Sequence, residues 1–389
     1  MHTVIVGGGF AGVKAALEIS QRGLGKVTLV SDEKYFLHHA TLYATATGRS
    51  SAESVIPLSD IFAKHHDVSV VQATMKTIKP DKRVLVTTVS DISYDTLIIA
   101  IGMVTSYFGI KGMQQHSYGI KTLEQIHELQ KHIKKQVTTG ATDKNYVIVG
   151  AGPTGVELAG SLGGYIQELE ETYVVKHRRT TIHVIEACDR VLPKSSKTAS
   201  KVTKKQLEKL GVVVHLNAKV TNVDASTIEI GDTSLKSHTI IWTAGVTNNP
   251  FFGNHPDVFT LTRPGGQVVV DDYLCAAPNI YVLGDNAATK NGGVAWTALH
   301  NAEYIADHLA RQLTARPLHP YKPKYFPQSF PIGDNWAYSE WRGMYADGSL
   351  GYFARRMIEY RSYRALLSRT LAMAAWKAHD IHSEGIKEQ

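Results

Sequence analysis

Two stretches of the chain carry the same spacing of glycines, "HTVIVGGGFAGVKAALEIS" near the N-terminus and "KNYVIVGAGPTGVELAGSLGGYI" near the middle. In the first, the apolar run Val4 to Val6 enters Gly7, Gly9 and Gly12, with Phe10 and Ala11 between the last two, and continues into an alanine-rich helix-forming segment. In the second, Tyr146 to Val149 enters Gly150, Gly152 and Gly155, with Pro153 and Thr154 in the corresponding places. A strand that closes on GxGxxG and opens a helix has a specific physical use. The first glycine permits a tight turn, the second lets backbone approach a pyrophosphate, and the third lets the helix pack on the strand, so that the helix N-terminal amides face the anion. One such motif is a weak signal. Two complete ones restrict the chain to a pair of parallel α/β units, each shaped to cradle a dinucleotide.

The strand after each cradle is expected to end in a carboxylate that accepts ribose hydroxyls. "KVTLVSDEKYF" ends in Ser31, Asp32 and Glu33, about 20 residues past Gly12, and the ribose contact lies among these three. "TTIHVIEACDR" ends in Glu186, whose charge would repel a 2'-phosphate, so NADH is favoured over NADPH. The wide spacing from Gly155 to Glu186 reads as a helix extended through "QELEETYVVKHRRT", with Arg178 and Arg179 as its solvated end. A third strand, "LCAAPNIYVLGDNA", closes on Gly284 and Asp285, where a carboxylate can reach the ribitol hydroxyls of a flavin.

A chain of 389 residues exceeds one simple core and points to two or three domains. Cys188 and Cys275 lack CxxC or CxxxxC spacing, which indicates neither a disulfide framework nor a redox dithiol and suits a reducing cytoplasmic setting. The N-terminal apolar run is broken by glycines and lacks a basic flank, so it reads as a strand and not an export signal. No window approaches the ~18 to 20 apolar residues of a membrane span. The net charge of +7 and pI near 9.1 favour anionic partners, among them nucleotide cofactors and acidic lipids, while no motif supports nucleic-acid binding. No metal site is expected.

Together these residues resemble the two-dinucleotide-binding-domain flavoproteins, and within them the type II NADH dehydrogenases, which pass electrons from NADH through FAD to quinone without pumping protons. "LYATATG" (Leu42 to Gly48) looks like that family's LYQVATG, "YDTLIIAIGMVTSYFGIKG" like its ALGSVTNYFGIPG, "YGIKTLEQ" like its LKTLEDA, and "IIWTAGVTNNP" like its WAAGVRANP. The resemblance implies an α/β fold of two Rossmann-like domains, the second inserted in the first. FAD would be held by residues 1–110 together with 240–320, NADH by 111–239, and 321–389 would form a C-terminal extension. In the family's chemistry flavin N5 accepts hydride from the nicotinamide. The resemblance places Glu157 near flavin and nicotinamide, Gly102 and Gly245 where backbone approaches the nucleotides, and helix N-terminal amides near Ala298 at the flavin's pyrimidine end.

The family's quinone-side motif reads AQxAxQ, whereas this chain has Trp296 and His300 where the glutamines stand. His300 is a candidate proton donor and Trp296 a stacking wall for the acceptor; equally, Trp296 packs beneath the C-terminal segment and His300 caps a flavin carbonyl. In "LGYFARRMIEYRSYRALLSRTLAMAAWKAHD", Phe353, Met357, Tyr360, Tyr363, Leu367 and Leu371 recur at three- and four-residue intervals among Arg355, Arg356, Arg361, Arg364 and Arg369. Such a basic amphipathic helix suits an anionic membrane surface or a homodimer contact. The resemblance implies a peripheral protein on the inner face of the cell membrane. The other readings are an NADH-dependent flavoprotein reductase of oxygen or another soluble acceptor, and an NADH-responsive redox sensor resembling apoptosis-inducing factor.

Overall fold

The computed structural model describes residues 1–177, 179–263 and 266–382. Its first sheet has six strands in the order Cys275–Ala277, Ile280–Val282, Thr96–Ile99, His2–Val6, Lys26–Ser31 and Val68–Gln72. All neighbours are parallel except the edge strand Cys275–Ala277. Strands from both ends of the chain therefore share one sheet. The second sheet, from the middle of the chain, runs Val213–His215, Thr181–Ile185, Asn145–Val149 and Thr239–Trp242, all parallel. In both sheets the strand that enters the cradle is central, and an antiparallel three-stranded meander precedes the return strand: Met75–Lys79, Val84–Thr87 and Asp91–Ser93 in one, Val220–Val223, Thr227–Ile230 and Thr233–Lys236 in the other. The central strands are apolar without alternation because both faces are covered: Val4, Ile5 and Val6, like Val147, Ile148 and Val149, are buried.

The cradle helices follow directly, Phe10–Gln21 and Pro153–Thr172. The second ends at Thr172, short of the extension through residue 180 expected from sequence; Arg179 is exposed and Arg178 lies outside the described residues. The helix Leu123–Thr138 starts at a capping box, Thr122 with Gln125, and buries Ile126, Leu129, Ile133 and Val137 along one face. Two crossings join the units, and they pair with each other as a short antiparallel ribbon, Val104–Thr105 with Val246–Thr247.

The C-terminal layer is an antiparallel sheet, Gln328–Pro331, Ala337–Trp341 and Met344–Ala346, followed by the helices Gly348–Leu366 and Arg369–Ala378. The single amphipathic helix expected here is corrected in two ways. The chain leaves helical conformation at Leu367, and Ser368 caps a new helix by accepting from the Leu371 N–H. The expected apolar stripe turns inward at Tyr363 and Leu367, and Arg355 and Arg356 are buried instead of solvated. Arginines at three- and four-residue spacing carry no mark of which side their partners lie on, and here the partners are inside.

Arg355 ties the layers together. Its Nε donates to Glu359 Oε1 at 2.6 Å and its Nη1 to the Ser329 carbonyl at 3.0 Å, both within the C-terminal layer. Its Nη2 donates to the Ala40 carbonyl of the first unit at 2.7 Å. Glu157 of the second cradle helix lies 3.8 Å from Nη1. Around this hub, His38 meets Ser362 at 2.8 Å, the Tyr363 hydroxyl donates to the Glu53 carbonyl at 2.6 Å, and His379 meets the Glu53 carboxyl at 2.8 Å. Removing the guanidinium leaves two carbonyls without their donor and Glu359 with only Arg356 of its two buried arginines. Arg355→Ala is expected to destabilise the flavin-loaded protein by about 3–5 kcal/mol, with Arg355→Lys in between, as read by urea unfolding; an unchanged midpoint in the alanine variant would remove Arg355 from this role.

Candidate functional site

The two cradles superpose bond for bond. The Gly7 N–H donates to the Val30 carbonyl and the Gly150 N–H to that of Ile185, both at 2.8 Å. Ala73 donates to Ser31 as Ala218 does to Glu186, each at 2.9 Å. Ala100 donates to Val6 at 2.8 Å and Thr243 to Val149 at 2.9 Å. These equivalences set Ser31 against Glu186, and Gly102 against Gly245.

The glycines divide their work in the same way in both. Gly7 (φ +115°) and Gly150 (φ +106°) require the left-handed half of backbone space, and a Cβ on either would strike the return strand, at 2.2 Å from the Ala100 carbonyl oxygen and 2.5 Å from Ala244 Cα. A Cβ on Gly12 or Gly155 would lie 1.9 Å from the carbonyl oxygen of the first glycine. Gly9 and Gly152, by contrast, face open space. They are the N-caps of helices whose exposed or half-exposed first residues, Phe10 in one and Pro153 with Thr154 in the other, leave the terminal amides toward that space. Two cradles that are sterically closed below and open above the middle glycine fit the pyrophosphates of FAD and of NADH.

The floor of the first cradle includes Asn286, which the sequence reading missed. Fully buried, it pairs with Gly102 as a strand would: the Gly102 N–H donates to Oδ1 at 2.7 Å, and Nδ2 donates to the Gly102 carbonyl at 2.8 Å and to Asn248 Oδ1 at 2.7 Å. Gly102 itself (φ +67°) faces open space. Gly284 sits between the helices Phe10–Gln21 and Ala295–Leu313, a Cβ there falling 3.6 Å from Ala11 Cβ and 3.7 Å from Ala298 Cβ, while its N–H donates to Asn301 at 3.0 Å. Burial pushes the Asp285 carboxyl upward against the pull of the Gly293 N–H, 3.0 Å from Oδ1, and of Lys121. Gly245 differs from its counterpart, being covered by the Ser106 carbonyl and the Phe108 ring. It does not offer the open backbone expected of it.

At the ribose positions the units diverge. Glu186 is buried and anchors its own cradle, accepting from the Ala151 N–H at 2.7 Å and the Cys188 N–H at 2.9 Å. Ser31 in the matching place is buried beside Gly8, whose Cβ would meet its hydroxyl at 2.4 Å. Asp32 and Glu33 are exposed, with the Glu33 N–H donating to Asp32 at 3.1 Å. Both cysteines are free.

The helix Ala295–Leu313 opens beside Gly284 and places Trp296 and His300 on one face, as their spacing requires. That face meets the segment Tyr321 to Phe326. Trp296 stacks on Phe326 with ring centroids 6.0 Å apart, and His300 lies 5.3 Å from Tyr321 and 6.1 Å from Phe326. Burial pushes the His300 imidazole below its ordinary value, and its Nε2–H is taken by the Lys322 carbonyl at 3.1 Å. The stripe continues through Tyr304 and His308, whose rings are 6.0 Å apart. Ala298 lies one turn in. Its N–H reaches the Val294 carbonyl at 3.4 Å and that of Thr297 does so at 3.0 Å, so the part of Ala298 is the contact with Gly284, and the helix amides left for an anion are those of Ala295 and Trp296.

Glu157, five residues into the second cradle helix, is the buried acid of the site, and its partners Arg355 and Glu359 come from a part of the chain where no motif announces them. Burial pushes its carboxyl up to about 8; Arg355 opposes and Glu359 adds to the shift. Arg355 gives Nε to Glu359, held below its ordinary range despite burial, and its terminal nitrogens to the Ser329 and Ala40 carbonyls, so Glu157 at 3.8 Å receives no hydrogen bond from it and keeps its proton at neutral pH. A folded carboxyl raised above its unfolded value binds the extra proton between the two, so its stabilising contribution is complete below about pH 4.5 and drains away as pH climbs to about 8. Relative to Glu157→Gln, the wild type should lose thermal stability steadily from about pH 5 to about pH 9; parallel melting curves for the two proteins would mean that the acid is ionised throughout.

The family model for pyridine nucleotide-disulphide oxidoreductases matches residues 1–305. The type II NADH:quinone oxidoreductase NdhA of Mycobacterium tuberculosis is 30% identical over 332 residues, 78% of this chain and 70% of that one. The type II NADH:quinone oxidoreductase of Staphylococcus aureus is 26% identical over 333 residues, 80% and 82% of the two chains. Among solved structures, NDH2 from Plasmodium falciparum in complex with NADH shares the fold with a TM-score of 0.86 at 17% identity, covering 97% of each chain. The sulfide:quinone oxidoreductase of Aquifex aeolicus does so with a TM-score of 0.74 at 17% identity over 98% and 92% of the chains. With two dinucleotide cradles of one design and a relative of this identity and span, the chain belongs to the pyridine nucleotide-disulphide oxidoreductase family and, within it, to the type II NADH:quinone oxidoreductases.

Proposed function

We propose that this protein oxidises NADH through bound FAD and delivers two electrons to a membrane quinone without pumping protons. The reading is carried by the occurrence in one chain of two cradles with matching hydrogen-bond registers, the second bearing a buried protonated acid on its helix. FAD would be held in the first cradle by Gly7, Gly9, Phe10, Ala11 and Gly12. The Ser31, Asp32 and Glu33 turn would lie at its ribose, and Gly102, Gly284, Asp285 and Ala298 along its length. NADH would be held by Gly150, Gly152, Pro153, Thr154 and Gly155, with Glu186 at the adenosine ribose, while Gly245, covered by the Ser106 carbonyl and the Phe108 ring, would only border the far end. Bound FAD supplies the acceptor for a hydride from NADH and the donor of two electrons to the quinone.

The chain's own part is positioning and proton management. The helix N-termini neutralise pyrophosphate charge, and the closed steric floor of each cradle fixes the depth at which its nucleotide lies. Glu157, kept neutral, is a hydrogen-bond donor to the nicotinamide carboxamide or a proton source when the acceptor is reduced. Trp296 and His300 form the aromatic wall on the acceptor side. NADH should bleach the yellow protein without oxygen, and a short-chain quinone should recolour it. Trp296→Gln and His300→Gln should leave the bleaching rate nearly unchanged and shift the recolouring rate by about tenfold. Bleaching that no quinone reverses would overturn the acceptor assignment in favour of a soluble acceptor or a redox sensor.

Among the described residues no helix is long and apolar enough to cross a membrane. The C-terminal layer instead presents Trp341, Met344, Tyr345, Leu350, Phe353 and Met357 to solvent, Leu350 and Met344 at 68% and Phe353 at 63% exposure. Arg342 lies over the Trp341 ring, and Arg361 and Arg364 are exposed further along the helix Gly348–Leu366. Apolar prongs and exposed cations in one layer suit the boundary of an anionic bilayer, in keeping with a peripheral protein on the inner face of the cell membrane. Double replacement of Leu350 and Phe353 by Glu should abolish co-sedimentation with vesicles containing anionic lipid while leaving NADH bleaching intact. If the variant still sediments with vesicles, this surface is not the contact, and a change in its oligomeric state would assign the patch to a homodimer.

A further inference from the structure

Phe108 holds a backbone conformation that its side chain does not favour. Its φ is 51°, in the left-handed region where a Cβ crowds the following carbonyl, and yet the ring is 65% exposed. Its local contacts are slight: the N–H reaches Ser106 Oγ at 3.4 Å and the ring meets Trp242 edge-on at 5.9 Å. What the conformation does is aim the ring at Gly245, close enough that a Cβ there would lie 2.8 Å from two ring carbons. Residues held in sparsely populated backbone conformations cluster at active sites and ligand clamps.

The location is specific. Gly245 lies just past the return strand Thr239–Trp242 of the second unit, and its neighbour Ala244 packs against Gly150, the first glycine of the second cradle. Ligands of open parallel sheets lie outside the carboxyl ends of the strands. The central strand of this sheet ends at the cradle; the strand on one side of it ends at Glu186, and the strand on the other side ends beneath Phe108. A dinucleotide with its pyrophosphate in the cradle and its adenosine toward Glu186 must therefore extend its other half toward Phe108. Exposed Val246, at 58%, continues the apolar wall there. The corresponding glycine of the first unit, Gly102, has no such ring over it.

We propose that Phe108 is a binding residue for the nicotinamide-bearing half of NADH, its exposed ring face being covered when the dinucleotide occupies the second cradle. The inference rests on the reading of that cradle as the NADH site, and the experiment separates the two. Flavin-loaded wild type, Phe108→Ala and Phe108→Tyr are titrated calorimetrically with NAD+ and with ADP, which lacks the nicotinamide half. Phe108→Ala should weaken NAD+ about tenfold and change ADP by less than about twofold, Phe108→Tyr should restore NAD+ binding, and the KM for NADH in the bleaching reaction should rise while the saturated rate holds. Unchanged NAD+ affinity in Phe108→Ala, or an equal loss for NAD+ and ADP, overturns the assignment of Phe108 while leaving the NADH site intact. Wild type that binds neither NAD+ nor ADP overturns the site and Phe108 with it.

Discussion

The arrangement of the molecule depends on one buried guanidinium. Arg355 donates to a loop of the first unit and to the sheet and helix of the C-terminal layer, and its charge stands beside the acid of the second cradle helix. A charge that deep is tolerated because each nitrogen of the planar guanidinium has an acceptor and because Glu359 balances it at 2.6 Å. That choice of partner has a chemical consequence. With Arg355 and Arg356 both committed to Glu359, Glu157 is left with burial uncompensated by a hydrogen bond from either, and it remains protonated at neutral pH. Structural docking and the protonation state of the site acid are thus outcomes of one interaction.

The repeated cradle shows how two units of one design come to differ at their edges. The sterically closed positions are the same in both units, since a helix can pack on its strand only if the third glycine lacks a Cβ. The differences lie at the edges. Glu186 stands against Ser31 at the end of the strand after each cradle, and Phe108 over Gly245 stands against the open, Asn286-clamped Gly102 past the return strand. Backbone geometry makes both units into cradles, and a few side chains past the strand ends make them distinct.

The glycine-centred features were legible because their reason is local. A strand, a turn of positive φ and a helix N-terminus are contiguous in the chain, and so are the strand and turn that deliver Gly284 and Asp285. The four-residue spacing of Trp296 and His300 was equally legible as a helix face, but what that face meets, the segment around Phe326, is supplied by residues more than twenty positions away. The C-terminal helices show the limit most plainly. Periodicity indicated an apolar stripe among arginines, and no periodicity distinguishes a cation reaching for lipid phosphate from one reaching for a buried glutamate. Arg355 and Arg356 do the latter, while the apolar side chains left exposed in this layer are Leu350, Phe353 and those of a hairpin tip.

The amino-acid sequence alone determined that the chain folds as two dinucleotide-binding α/β units and that a carboxylate, Glu186, stands at the end of the strand after the second cradle, because those properties follow from backbone sterics and charge within short stretches. Only the tertiary structure decided that Asn286 clamps Gly102, that Phe108 covers Gly245, and that Glu157 is buried beside an arginine already taken by another acid. Each of these joins residues far apart in sequence, and desolvation, which sets the state of the acid, exists only once the layers have closed over it.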